Sequence, residues 1–264
     1  MYSFDYQRPA SRADAVARAQ GEARFLAGGQ SLVQAMKLRL SSSERLVDLG
    51  GIADLTGIQA DGSKVTIGAM TTHAAVAASP EVKRAIPALA ALAGMIGDPS
   101  VRNMGTMGGS VANADPAADY PAALLALGAT VQTDKRAVDA ASFFTGLYET
   151  ALQPGELVTA VSFPVPKRAG YAKFRQPASR FALVGVFVAE SAQGVRVAVT
   201  GAGPTVFRVK EMEEALTKNF APESVKGIQV PASQLNGDMH GTAEYRAAMI
   251  TVMAQRAVAA ALQG

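Results

Sequence analysis

Phe25-Leu26-Ala27-Gly28-Gly29-Gln30-Ser31 sets two glycines and a hydroxyl between an apolar run and the start of a helical pattern. Glycine has no Cβ, so such a backbone can approach an anion closely, and the first amides of the following helix favour negative charge. The chemistry on offer is the holding of a phosphate or pyrophosphate. The competing reading makes Ser31 a plain helix N-cap and the glycines a turn. Gly105-Thr106-Met107-Gly108-Gly109-Ser110 repeats the arrangement, and its amides and hydroxyls could form a second nest for phosphate. Neither stretch fits Gly-x-Gly-x-x-Gly or Gly-x-x-x-x-Gly-Lys-Ser/Thr, which disfavours the nicotinamide-dinucleotide fingerprint and the P-loop. The interest lies in finding both in one chain, each followed by small uncharged residues.

The carboxylates around the second stretch read mainly as structure. Asp98 precedes a proline and Asp115 sits before Pro116, both natural turn formers, and Asp119 stands where a helix N-cap is expected. Other chemistry is excluded by composition. Cysteine is absent, so disulfides, thiolate zinc sites, Cys-ligated iron–sulfur clusters and a cysteine nucleophile have no place in this chain. His73 and His240 lie in no metal-binding pattern and read as surface or helix-capping residues. The net charge is +3, with Lys and Arg scattered rather than striped, which argues against nucleic acid. No apolar run reaches spanning length and Met1 to Pro9 lack the order of a secretory signal, so a soluble cytoplasmic protein is expected.

The elements that must position these turns follow from periodicity. A helix at about 11 to 20, a strand at Arg24 to Ala27, a helix at Leu32 to Leu40 and a strand at Arg45 to Leu49 suggest a parallel β/α crossover. Asp61-Gly62 joins two short strands, Leu55 to Ala60 and Lys64 to Gly68, as a hairpin. Ala-rich helices are expected at about 71 to 79 and 84 to 96, then a long functional loop from Gly97 to Asp119. A helix at about 120 to 127 and strands at Ala129 to Thr133 and Glu156 to Phe163 complete the first part. Pro164 and Pro166 break helix and sheet alike and mark the boundary. Beyond it, strands at Tyr171 to Gln176, Ala182 to Glu190 and Gly194 to Gly201 precede helices at about 207 to 218 and 241 to 262, a sheet covered on one face.

Read together, Ala27-Gly28-Gly29-Gln30-Ser31-Leu32, Val101-Arg102-Asn103-Met104-Gly105-Thr106-Met107-Gly108-Gly109-Ser110 and Asn113-Ala114-Asp115-Pro116-Ala117-Ala118-Asp119 resemble the FAD-binding medium subunit of the xanthine dehydrogenase and carbon monoxide dehydrogenase family. The resemblance extends over nearly the whole chain. Tyr171-Ala172-Lys173-Phe174-Arg175-Gln176-Pro177-Ala178-Ser179-Arg180 is similar to the opening of that family's C-terminal flavoprotein domain.

The resemblance implies an α+β protein. A two-subdomain FAD-binding region of the vanillyl-alcohol-oxidase (PCMH) type would cover 1–164, divided at about 54, and a C-terminal α+β domain with an antiparallel sheet and helices would cover 165–264. It implies FAD contacts at Phe25, Leu26, Ala27, Gly28, Gly29, Gln30, Ser31 and Leu32, at Thr106, Met107, Gly108, Gly109 and Ser110, and at Asp119, Ile96, Val158 and Arg175. Asp119 would accept from a ribityl or ribose hydroxyl. Arg175 departs from the family, where lysine is common near this position, and a planar guanidinium fork is not a point charge. Packing is the alternative role for Ile96 and Val158, and subunit docking for Arg102-Asn103.

By the same resemblance, 2Fe-2S clusters in a small subunit and molybdopterin in a large subunit complete the machinery, in a dimer of heterotrimers. The flavin would collect electrons and pass them to an external acceptor, with no catalytic side chain required here. A free-standing FAD oxidoreductase and a flavin-free scaffold are the alternatives.

Overall fold

The computed structural model describes residues 1–263. The chain opens with β1 (Asp5–Gln7), α1 (Arg12–Arg18), β2 (Ala23–Leu26), α2 (Leu32–Lys37) and β3 (Arg45–Asp48). The three strands form a parallel sheet in the order β1-β3-β2, as two strands bracketing a helix require. Ser11 caps α1 through the Asp14 amide. Helix α2 is shorter than its apolar pattern because the chain turns at Arg39, whose φ is +60°.

β4 (Ile58–Ala60) and β5 (Lys64–Gly68) form the expected hairpin, with Leu55 and Thr56 in the turn before it rather than in the strand. Then come α3 (His73–Ala78), α4 (Pro80–Ala85) and α5 (Pro87–Met95); the single helix expected from 84 to 96 is broken at Ile86, because Pro87 disfavours a helical residue before it. The long loop expected from Gly97 to Asp119 is mostly helical, holding α6 (Pro99–Met104) and α7 (Met107–Asn113), capped by Asp98 and Thr106. α8 (Tyr120–Leu127), β6 (Thr130–Thr133), β7 (Ala137–Asp139), α9 (Ala140–Phe143), β8 (Phe144–Gly146), β9 (Glu149–Thr150) and β10 (Val158–Pro164) follow.

The second sheet, β4-β5-β10-β6-β7, is antiparallel and alternates by the pleat. Val65, Ile67, Val131, Val161 and Phe163 point inward and are fully buried against the helices. On the other face, Thr66 and Gln132 both hydrogen-bond Ser162, at 2.8 and 2.9 Å.

After Pro164 the chain enters a third sheet, β11 (Arg168–Arg175), β12 (Ala182–Ser191), β13 (Gly194–Thr200) and β14 (Phe207–Arg208), followed by α10 (Lys210–Lys218) and α11 (Ala243–Ala261). This sheet is covered on both faces, not one. Val184, Val186 and Val188 pack with Ile250, Met253 and Ala257 of α11, while Phe187 and Ala189 join the core of the preceding region. The unbroken apolar run of β12 is what two covered faces demand. No helix among the described residues is long and apolar enough to cross a membrane.

Candidate functional site

A cleft of about 460 Å³ runs between the first sheet and the helical layer, with part of its wall from Ser179 and Phe181 of the C-terminal sheet region. Its first wall is the turn between β2 and α2. Gly29 has a φ of +70°, a left-handed conformation that costs an L-residue energy and glycine almost none. The amides of Gly28, Gly29, Gln30, Ser31 and Leu32 donate to no acceptor among the described residues, while the Gln30 side chain folds back to the Gly28 carbonyl at 3.3 Å. Ser31 occupies the N-cap position but makes no capping bond, so the plain capping reading fails and its exposed hydroxyl faces the cleft.

The second glycine turn lies directly against the first. A Cβ on Gly28 would stand 1.9 Å from the Met104 carbonyl oxygen, and one on Gly109 would stand 3.4 Å from the Ala27 Cβ. Only a bare backbone permits the approach at Gly28. The expectation of two amide nests is corrected here. The Met107 amide donates to the Thr71 carbonyl at 2.9 Å and Gly108 to Ala69 at 2.8 Å. Gly109 donates to the Thr106 hydroxyl oxygen and Ser110 to the Thr106 carbonyl. The second turn is a conventionally capped helix start; what it offers the cleft is small residues and the hydroxyls of Thr106 and Ser110.

Of the residues expected at the site, all but Leu26, Met107 and Arg175 line the cleft. Leu26 ends strand β2, and Met107 is fully buried in the core. Arg175 is exposed and lies beside Arg180 and Pro177, outside the cleft, after a register shift between Phe174 and Arg175. The buried cation of that strand is Lys173, which bonds Asp119 at 2.9 Å and the Met95 carbonyl at 3.1 Å. Asp119 heads α8 without capping it; its other oxygen accepts from Tyr171. Burial pushes its carboxyl pKa up, against the opposing pull of Lys173 and of both hydrogen bonds. Asp98 caps α6 and Asp115 closes a turn onto the Ala117 amide, both structural as expected.

Among the cleft residues that the sequence reading did not place there are His73, Glu156 and Phe181. His73 is buried, not a surface residue, with its pKa lowered to about 4 by burial and by the charge of Arg102. Glu156 is bound by Arg136, Thr133 and the Gln153 amide, which hold its carboxyl at about 2. Phe181 comes from the C-terminal region, edge-on to His240. Each is placed by contacts distant in sequence, and no local pattern announces them.

A cleft walled by a glycine turn of unbonded amides, with small residues opposite, defines a protein that holds a large phosphate-bearing cofactor by its backbone. Residues 2–166 match the family model described as the FAD binding domain in molybdopterin dehydrogenase, and residues 169–261 match the CO dehydrogenase flavoprotein C-terminal domain. The chain is 39% identical to the carbon monoxide dehydrogenase medium chain of Afipia carboxidovorans, covering 97% of this chain and 96% of that one. It is 34% identical to the nicotine 6-hydroxylase medium subunit of Paenarthrobacter nicotinovorans, over 96% and 95%. Among solved structures it matches quinoline 2-oxidoreductase from Pseudomonas putida with a TM-score of 0.89 and 28% identity, over 100% and 98% of the two chains. The chain belongs to the FAD-binding medium subunits of the molybdopterin dehydrogenases, and is thus an oxidoreductase subunit.

The residues present fit FAD. The unbonded amides of the first turn suit a diphosphate, and the glycine at 28 leaves the backbone bare where the two turns meet. No carboxylate in the cleft is left to repel that anion without a partner: Asp115, Asp119 and Glu156 are all hydrogen-bonded within the protein.

Proposed function

We propose that the cleft holds FAD, that Phe25, Ala27, Gly28, Gly29, Gln30, Ser31 and Leu32 grip its diphosphate end, and that Thr106, Gly108, Gly109, Ser110, Ile96, Val158 and Asp119 complete the contacts. Leu26 and Met107 support the two turns from the core side, and Arg175 takes no part. The carrying observation is the run of unbonded amides from Gly28 to Leu32 at the mouth of a large cleft. When bound, the flavin supplies the redox chemistry; the protein supplies anchoring, orientation and a partly dry wall. The flavin region spans 1–164, in subdomains meeting near 54, and 165–264 forms the C-terminal domain.

The chain works in a larger assembly. With no cysteine it cannot ligate an iron–sulfur cluster by thiolate; in keeping with its family, its flavin takes electrons from 2Fe-2S clusters in a small subunit. A molybdopterin-bearing large subunit acts on the substrate, the complex being a cytoplasmic dimer of heterotrimers, and the flavin passes electrons to an external acceptor. Relatives named for carbon monoxide, nicotine and quinoline share this chain's fold or sequence, which supports substrate choice residing in another subunit. The test is spectroscopic. The purified chain, supplemented with FAD and desalted, is expected to keep flavin absorbance at one FAD per chain; a colourless protein would sink the reading.

A further inference from the structure

His73 opens α3 with its ring packed on that of Tyr120, the centroids 5.3 Å apart, and it lines the flavin cleft. Its Nδ1 is buried without a hydrogen-bond partner. Its Nε2 lies 2.6 Å from where a Cβ on Gly105 would stand, and the Gly105 Cα lies 2.8 Å from the corresponding position on Gly28. The imidazole therefore sits at the joint between the two glycine turns. The cleft carboxylates have their partners within the protein; this ring has none.

A buried polar side chain with no partner is destabilising, so its retention calls for an offsetting role. Burial and the nearby Arg102 keep the ring neutral at pH 7. A neutral imidazole carries one N–H and one bare acceptor. No acceptor stands near the buried Nδ1 to take a proton, which favours the tautomer with the proton on Nε2, the nitrogen beside the cleft residue Gly105.

Resting on the reading that FAD occupies the cleft, we propose that His73 is a cofactor-binding residue whose Nε2–H donates to an oxygen of the ribityl–diphosphate stretch. The full chain is titrated with FAD by flavin fluorescence, as wild type, His73→Leu and His73→Gln, and each is melted without FAD. His73→Leu is expected to weaken FAD about tenfold, the size of one hydrogen bond to a charged group. His73→Gln, which can still donate, should lose less. The FAD-free melting point of His73→Leu should be no lower than that of wild type, because an orphaned polar ring is removed. FAD affinity unchanged in both variants, or lost only in step with a lower FAD-free melting point, overturns the assignment. A wild-type chain that binds no FAD would overturn the reading of the cleft itself, and this inference with it.

Discussion

Ser31 allows folding and cofactor retention to be separated at a single residue. It stands at the N-cap of α2, exposed and making no capping bond, in the turn proposed to hold a diphosphate. The charge of an aspartate suits the positive end of a helix, so Ser31→Asp should keep or raise the melting point of the FAD-free chain. The same carboxylate would face the phosphates. FAD affinity is expected to fall roughly tenfold to a hundredfold at low salt, and the loss should shrink as salt rises. Equal affinity for wild type and variant at low ionic strength would remove the diphosphate from this turn. The arginine of β11 teaches the reverse lesson. The family resemblance implies a contact at Arg175, yet this residue lies exposed at the end of β11, past a register shift, while Lys173 carries the buried charge. The residue skipped there, Leu183, belongs to the partner strand β12, so spacing along β11 does not show where regular pairing ends.

At the scale of elements, the site depends on two turns that touch through bare backbone. A methyl on Gly28 would stand 1.9 Å from a main-chain oxygen that cannot swing aside, whereas one on Gly29 would meet only side chains, Val33 at 3.0 Å and Leu26 at 3.5 Å. Gly28→Ala is therefore expected to cost about 3 kcal/mol and most of the FAD retention. Gly29→Ala, with its left-handed φ, should cost about 1 kcal/mol. Thermal melts and desalted flavin spectra of both variants check the order; Gly29→Ala proving the more damaging would mean that the turns do not clamp as described. The glycine pairs themselves were legible in the sequence because glycine marks close backbone approach whatever its context. That the amides of Met107 and Gly108 are already taken was not, since their acceptors, Thr71 and Ala69, lie just past a different hairpin. Helices α6 and α7 went unread for a simpler reason: at 6 and 7 residues they are too short for periodicity to show, and their capping residues look like loop chemistry.

For the whole molecule, the contact of most consequence joins the flavin region to the C-terminal sheet. Asp119, at the head of α8, meets Lys173 and Tyr171 of β11, and the side chains of the ion pair are only 5% and 2% exposed. The same C-terminal region sends Ser179 and Phe181 into the cleft wall, so this contact and the cofactor site share one interface. Lys173→Met would strand a buried carboxylate, a loss of about 3–5 kcal/mol when the charge is kept. The carboxylate can escape that cost by taking up a proton, and this sets the pH dependence. Burial already raises the folded pKa of Asp119, and removing the lysine raises it further. With the folded pKa above the unfolded one, the folded variant binds the proton more tightly. Its deficit relative to wild type should be greatest at neutral pH and shrink as pH falls through the raised folded value, levelling near the ordinary carboxylate range. Adding Asp119→Asn to Lys173→Met should restore stability at pH 7, because the amide carries no charge to strand. Urea melts of wild type, both single variants and the double at pH 7 and pH 5 supply the cycle. A deficit independent of pH, or a double variant whose losses simply add, would show that the two regions are held by apolar packing alone and that the buried pair does not couple them.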